Sequence, residues 1–227
     1  MNIQENVDRV RERMAAACAR SGRQQDDVRL IAVSKMFPAE QIHAAYVAGL
    51  RDFGENRVQE AATKRLALQD LGITWHLIGH LQSNKATRAL ELFDWIHSVD
   101  SAGLAAKLDR AAATTGKRLP ILLEVNLGGE ASKSGVAEEE AASVAAALHK
   151  YSNLDLRGLM TIPPFFEYPE QTRPYFRRLR ELAQKLRGPG AGNMTELSMG
   201  MSHDFEVAIE EGATMIRVGT AIFGARG

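Results

Sequence analysis

Cysteine is almost missing from this sequence: Cys18 is the only one in 227 residues. No intrachain disulfide can form and no thiolate metal cluster can be built. Its place among alanines in a helical stretch reads as a small buried hydrophobe, not a reactive thiol. Net charge is absent too, with 28 Lys plus Arg against 28 Asp plus Glu. No global field favours nucleic acid or an anionic membrane, so an anionic ligand needs a local site. No apolar run approaches the roughly 18 residues of a membrane span, and the opening MNIQENVDRVRERM is too polar for a secretory signal. A cytoplasmic protein with no nucleic-acid or membrane partner is expected. The basic stretch RPYFRRLR at 173–180 alternates with apolar residues at helical spacing and reads as a solvated helix face.

What is present is an ordinary globular composition, 45% hydrophobic and 25% charged, enough for a substantial core. Eight segments of alternating or continuous apolar character are each followed by a polar or Gly-containing turn and helical spacing, the pattern of repeated βα units. They are RLIAVSK, a segment ending DFGEN, TWHLIGH, WIHSVD, LPILLEVNL, LDLRGLMTI, TELSMGM and MIRVGTAIFG. Pro38 suits the first turn of the second helix, and Ser101 or Asp100 can cap the alanine-rich helix after the fourth strand. An additional helix, Val7 to Arg20, precedes them all and would plug or flank the barrel. The fold expected is a single TIM-type (β/α)8 barrel domain over 1–227, with an open doubly wound sheet as the competing arrangement.

In such a barrel, function gathers at the C-terminal ends of the strands. Lys35 closes the first strand on the same face as Val33 and Ile31, which would aim its ammonium into the mouth. Taken alone, it also reads as a lysine leaving a strand for solvent. The last strand alters that balance. Arg217 and Gly219 share a face, Thr220 follows, and glycine lets the main chain approach a phosphate closely. The seventh segment adds Ser198, Gly200 and Ser202 ahead of a helix start. A phosphate site beside an inward lysine suggests a carbonyl ligand captured as an imine. A lysine with a reference pKa of about 10.4 must have that value depressed to attack an aldehyde, and burial beside Arg217 would do so. His76 and His80, four apart, could ligate a metal with Glu55, but paired strand histidines are more often scaffold, and no metal is expected.

The motifs AVSK at Lys35, FGENRVQE at Phe53 to Glu60, WHLIGHLQSNK at Trp75 to Lys85, LLEVNLGGEASKSG at Leu122 to Gly135, LRGLMTI at Leu156 to Ile162 and LSMGMSHDFEVAIEEGATMIRVGTAIFGAR from Leu197 together resemble the pyridoxal 5′-phosphate (PLP) homeostasis proteins. The resemblance covers essentially the whole chain. It implies a monomeric barrel like the N-terminal domain of alanine racemase, with PLP held as a Schiff base on Lys35. Carried over by position, Arg217 would face the pyridine nitrogen, and Ser202, Gly219 and Thr220 would hold the phosphate, lined by Ser198, Met199 and Gly200. Asn56, His80 and Met160 would line the ring and its mouth, with His80 at a position where other members often have proline.

Two functions stay open. The first is a PLP carrier that serves apo PLP-dependent enzymes, with no catalytic residue of its own. The second is a weak PLP-dependent racemase-like enzyme. The carrier is preferred because an arginine facing the ring nitrogen donates to it and keeps it unprotonated, which makes the ring a poor electron sink. Alanine racemase overcomes this with a tyrosine base from a second domain. The four tyrosines here, Tyr46, Tyr151, Tyr168 and Tyr175, fall in helices or in the loop after strand six. Lys133, in the polar loop after strand five, reads as a solvated lysine or a second amine for PLP in transit.

Overall fold

The computed structural model describes residues 2–116, 118–130, 134–187 and 194–225. Lys133 and the GPGAG loop lie outside the described residues. Eight strands form the barrel: β1 (Arg29–Val33), β2 (Asp52–Glu55), β3 (Thr74–Leu77), β4 (Trp95–Val99), β5 (Leu119–Asn126), β6 (Leu154–Met160), β7 (Glu196–Met201) and β8 (Met215–Val218). Each pairs in parallel with the next, and β8 returns to β1 with Ile31 opposite Arg217, closing the ring. A two-residue strand, Val136–Ala137, adds to the outer end of β5.

Helices follow the strands around the outside: α1 (Ile3–Arg20), α2 (Ala39–Val47), α3 (Val58–Ala67), α4 (Ala86–Leu92), α5 (Ala102–Ala113), α6 (Ala141–Leu148), α7 (Arg173–Leu186), α8 (Phe205–Glu210) and α9 (Thr220–Phe223). Ser101 caps α5 by accepting from the Leu104 N–H. The additional helix α1 flanks the barrel. Val7, Val10, Met14 and Ala17 are buried on one face, and Asn6 Nδ2 donates to the Ile222 carbonyl at 2.8 Å. Three of the four arginines of RPYFRRLR meet helix α8 and its end, where Arg173 reaches Glu210 at 2.6 Å and Arg177 and Arg180 each reach Glu211 at 3.0 Å, while Arg178 pairs with Glu138.

Strand alternation divides the core into two layers. The larger lies between strands and helices. The smaller lies inside the barrel, with Ile31, Leu122, Met160 and Met215. Full burial of each of these side chains is worth roughly 1.5–3 kcal/mol. Beside that apolar cluster the interior is polar, with His76, His97, Ser198 and Arg217 all buried, and strand register sets Ile31 opposite Arg217 and Met160 opposite Ser198. The closed ring leaves functional groups only two exits, its ends.

Two strands stop earlier than their sequence suggests. β1 ends at Val33, so Lys35 stands in the turn beyond it, and the TAIF of the eighth segment is helix α9 instead of strand. In β7 the register shifts: Ser198 pairs with Met215 but Met201 with Arg217, so one extra residue bulges out. Gly200 carries the bulge at φ 91°, and a Cβ there would come within 2.5 Å of the Ala208 Cβ. Gly200→Ala should therefore lower stability by about 2 kcal/mol or more, read as a reduced urea midpoint at unchanged slope; a shift under about 0.5 kcal/mol would contradict this reading of the bulge.

Candidate functional site

The turn after β1 is fastened from beneath. Ser34 Oγ donates to Glu55 Oε1 at 2.6 Å, and Lys64 Nζ donates to the Ser34 carbonyl, Glu55 Oε1 and Glu60 Oε1 at 2.6–2.7 Å. Glu60 in turn accepts from the Met36 N–H, and Met36 sits at φ 67°. A non-glycine residue in that region needs external support, which this network supplies. Burial pushes the Glu55 carboxyl up and the Lys64 contacts oppose it. Held this way, Lys35 is half-buried at the C-terminal mouth.

A cavity of about 260 Å³ opens there, lined by Lys35 with Val33, Asn56, Ile162, Ser202, Arg217, Gly219 and Thr220 among others. Arg217 is 3% exposed, and its guanidinium donates to Ser198 Oγ at 2.6 Å and to the Thr161 carbonyl at 2.9 Å. Both acceptors are neutral. Burial lowers its pKa to about 10, while Asp204 and Glu124 act from farther away to raise it. The arginine thus stays charged at neutral pH in a buried site with no carboxylate on its hydrogen-bonding atoms, a setting that favours an anionic or electron-rich ligand. Ser202 Oγ accepts from the Gly219 and Ala221 N–H groups at 3.0 and 3.4 Å, tying the loop after β7 to the start of α9.

A second cavity of about 290 Å³ shares Asn56, Ile78 and Ile162 with the first and adds His80, Glu124 and Asn126. Two buried oxygens facing this region, Asn56 Oδ1 and Glu124 Oε2, have no hydrogen-bond partner. Gly79 lets the loop after β3 lie on Asn56, since a Cβ there would meet the Asn56 carbonyl at 2.6 Å. A larger cavity, about 570 Å³, opens at the opposite end between Arg11, Arg29, Arg51 and Asp52. It has no lysine nucleophile and lies at the end of the barrel where this fold rarely keeps its chemistry, so size does not decide the site.

The structure therefore brings together Lys35, Asn56, Ser202, Arg217, Gly219 and Thr220, and separates the rest. Ser198 does not line the cavity: fully buried, it braces Arg217 from below. Met199 faces the helical layer, and Gly200 serves the close packing of α8. Met160 belongs to the apolar cluster inside the barrel and does not line the cavity. His80 borders the second cavity, where its Nδ1 is 3.4 Å from Asp100. His76, His80 and Glu55 do not converge, because His76 faces His97 inside the barrel and Glu55 is held by Lys64. Sequence reading missed Glu124, Val33, Ile78, Ile162, Met201 and His203 as lining residues. For Glu124, the one charge in LPILLEVNL was an available signal.

Fold and site together define a parallel barrel with a lysine and a buried arginine at its mouth, the class of the alanine racemase N-terminal domain, whose family model matches residues 2–227. The racemase of Clostridium difficile superposes with a TM-score of 0.77 over 99% of this chain and 57% of its own, at 15% identity, a likeness of fold alone. Nearer in sequence is the pyridoxal phosphate homeostasis protein of Aquifex aeolicus, 46% identical over 226 residues, which are 100% of this chain and 99% of the relative. PipY of Synechococcus elongatus, solved with PLP bound, has a TM-score of 0.83 and 45% identity, covering 95% of this chain and 100% of its own. The chain belongs to the pyridoxal phosphate homeostasis protein family. Among the described residues, no helix is long and apolar enough to cross a membrane.

Burial raises Glu124 from 4.5 to about 7, with Asp100 adding to the rise and Arg217 opposing it. A carboxyl whose folded value exceeds its unfolded one binds more protons when folded, so it destabilises increasingly as pH climbs from about 4.5 through 7. Glu124→Gln should remove that loss. The variant is expected to gain on the order of 1–3 kcal/mol relative to the parent between pH 5 and pH 8, measured on ligand-free protein by denaturant unfolding. Parallel pH profiles for the two proteins would refute the assignment.

Proposed function

We propose that the 1–227 barrel is one PLP-binding domain, a monomeric cytoplasmic carrier that holds the cofactor as a Schiff base on Lys35 and delivers it to apo PLP-dependent enzymes. The observation carrying this reading is the pairing of Lys35 with a buried, charged Arg217 in one cavity beside Ser202, Gly219 and Thr220. The unpartnered Asn56 oxygen fits a ligand that brings its own donor. Lys35 Nζ is the group that would hold the aldehyde carbon of PLP, with the carbonyl oxygen leaving as one water. The loop formed by Ser202 with Gly219 and Thr220 takes the phosphate, and its ties to Ser202 hold α9 in register for it.

When bound, PLP supplies an aldehyde for capture and, in enzymes, a ring that accepts electrons. Arg217 decides which property is used. It can only donate, so a pyridine nitrogen facing it accepts and stays unprotonated, a poor sink for a carbanion. Supporting the same reading, Tyr151 is engaged with the Ala102 carbonyl, Tyr175 packs on Phe166, Tyr46 lies under Arg51, and Tyr168 is exposed at the surface. One observation favours a weak racemase-like enzyme instead: Glu124, with a pKa of about 7 and an unpartnered oxygen at the adjoining cavity, has the profile of an acid–base group.

Two measurements test the proposal. Lys35→Ala should lose the visible absorption of the PLP-loaded protein while keeping its circular dichroism, and a retained band would remove Lys35 from the assignment. Holo-protein incubated with L-alanine and other amino acids in deuterated water should exchange α-protons no faster than free PLP. Exchange that vanishes in Glu124→Gln would make the protein an enzyme.

A further inference from the structure

Below Arg217 a line of hydrogen bonds crosses the barrel interior. Arg217 Nη1 meets Ser198 Oγ at 2.6 Å, Ser198 Oγ meets His97 Nδ1 at 2.9 Å, His97 Nε2 meets His76 Nδ1 at 3.0 Å, and His76 Nε2 meets Asp52 Oδ1 at 2.9 Å. The three middle residues are wholly buried, and the line ends at the rim of the opposite cavity, which Asp52 lines. Trp95 stacks on His76 with ring centroids 6.0 Å apart, and Arg29 lies over Trp95.

The chemistry of the ends fixes the direction of every bond. Asp52 can only accept as a carboxylate, so His76 carries its proton on Nε2 and offers a bare Nδ1. His97 must then donate from Nε2, leaving its own Nδ1 bare. Ser198 donates to that nitrogen and turns a lone pair toward Arg217, which can only donate. Four bonds use four protons, and none is left over. Reversing either imidazole would set two lone pairs or two protons face to face in a buried site. Burial holds both histidines below their ordinary pKa, and neutral rings are what the sequence of donors needs.

We propose that Ser198, His97, His76 and Asp52 are a polarised positioning relay for Arg217, in which the distant Asp52 carboxylate sets the hydrogen-bond direction that orients the guanidinium toward its ligand. The relay rests on the reading of Arg217 as the group facing bound PLP, and it explains how a buried arginine is anchored without a carboxylate that would neutralise it. Asp52 does not line the ligand cavity; besides His76 it has Arg29 as an ion-pair partner 3.7 Å away, at the end of the barrel remote from the ligand.

The test begins on ligand-free protein labelled with 15N-histidine. Long-range proton–nitrogen correlation should show His76 and His97 neutral, both protonated on Nε2, between pH 5.5 and 8. An Nδ1–H tautomer or an imidazolium at either residue overturns the proposal without any variant being needed. Asp52→Asn, which keeps an oxygen acceptor, should preserve both tautomers and PLP affinity. Asp52→Ala should mix the tautomers of both rings and weaken PLP binding roughly fivefold or more. Mixed tautomers with wild-type affinity in Asp52→Ala would reduce the line to a structural network. Failure of the wild-type protein to bind PLP would defeat the proposed function and leave the tautomer result standing on its own.

Discussion

A guanidinium buried inside a parallel barrel is the constraint on which the rest of this structure depends. Arg217 has to stay charged, fixed and available, and each requirement is met by a different layer. Hydrogen bonds to two neutral oxygens fix it. The apolar cluster of Ile31, Leu122, Met160 and Met215 packs inside the barrel at the level of Arg217 and Ser198. Carboxylates at Asp204 and Glu124 keep their distance and temper the desolvation without closing an ion pair. A hydrogen-bonded carboxylate would have been the simpler way to stabilise the charge, but it would also have consumed the donors that face the cavity.

Around that arginine the site is assembled from elements far apart in sequence. The β1 turn brings Lys35, braced by the Ser34, Glu55, Lys64 and Glu60 network. The end of β8 brings Gly219 and Thr220, and the β7 loop brings Ser202 across to meet them. Closure of the barrel makes the geometry possible: Ile31 pairs with Arg217, so the first and last strands stand side by side and their ends share one cavity. Bracing lysine and arginine from separate buried networks lets each be held without touching the other's hydrogen bonds.

Much of this was legible in the sequence, and the exceptions have physical causes. Strand periodicity located all eight barrel strands, and the positions of Lys35, Arg217, Gly219 and Thr220 at strand ends pointed to one mouth. The expectation for Ser198, Met199 and Gly200 comes from the resemblance, which says nothing of where each side chain faces, and the single inserted residue near Gly200 has no mark in the strand's periodicity. The TAIF segment looks like strand by composition, yet it follows Gly219 into a short helix whose Ile222 and Phe223 complete the outer core. His97 could not be recognised as a partner of Ser198, 101 residues away, because only the closed ring brings their strands to one interior.

The central claim, that this cavity holds PLP through Lys35, is tested most directly by chemical trapping. PLP-loaded protein is reduced with borohydride, digested, and its modified peptide identified by mass spectrometry. The account predicts one stable phosphopyridoxyl adduct, on the Lys35 peptide. An adduct spread over surface lysines, or one on another residue with Lys35 unmodified, would contradict it.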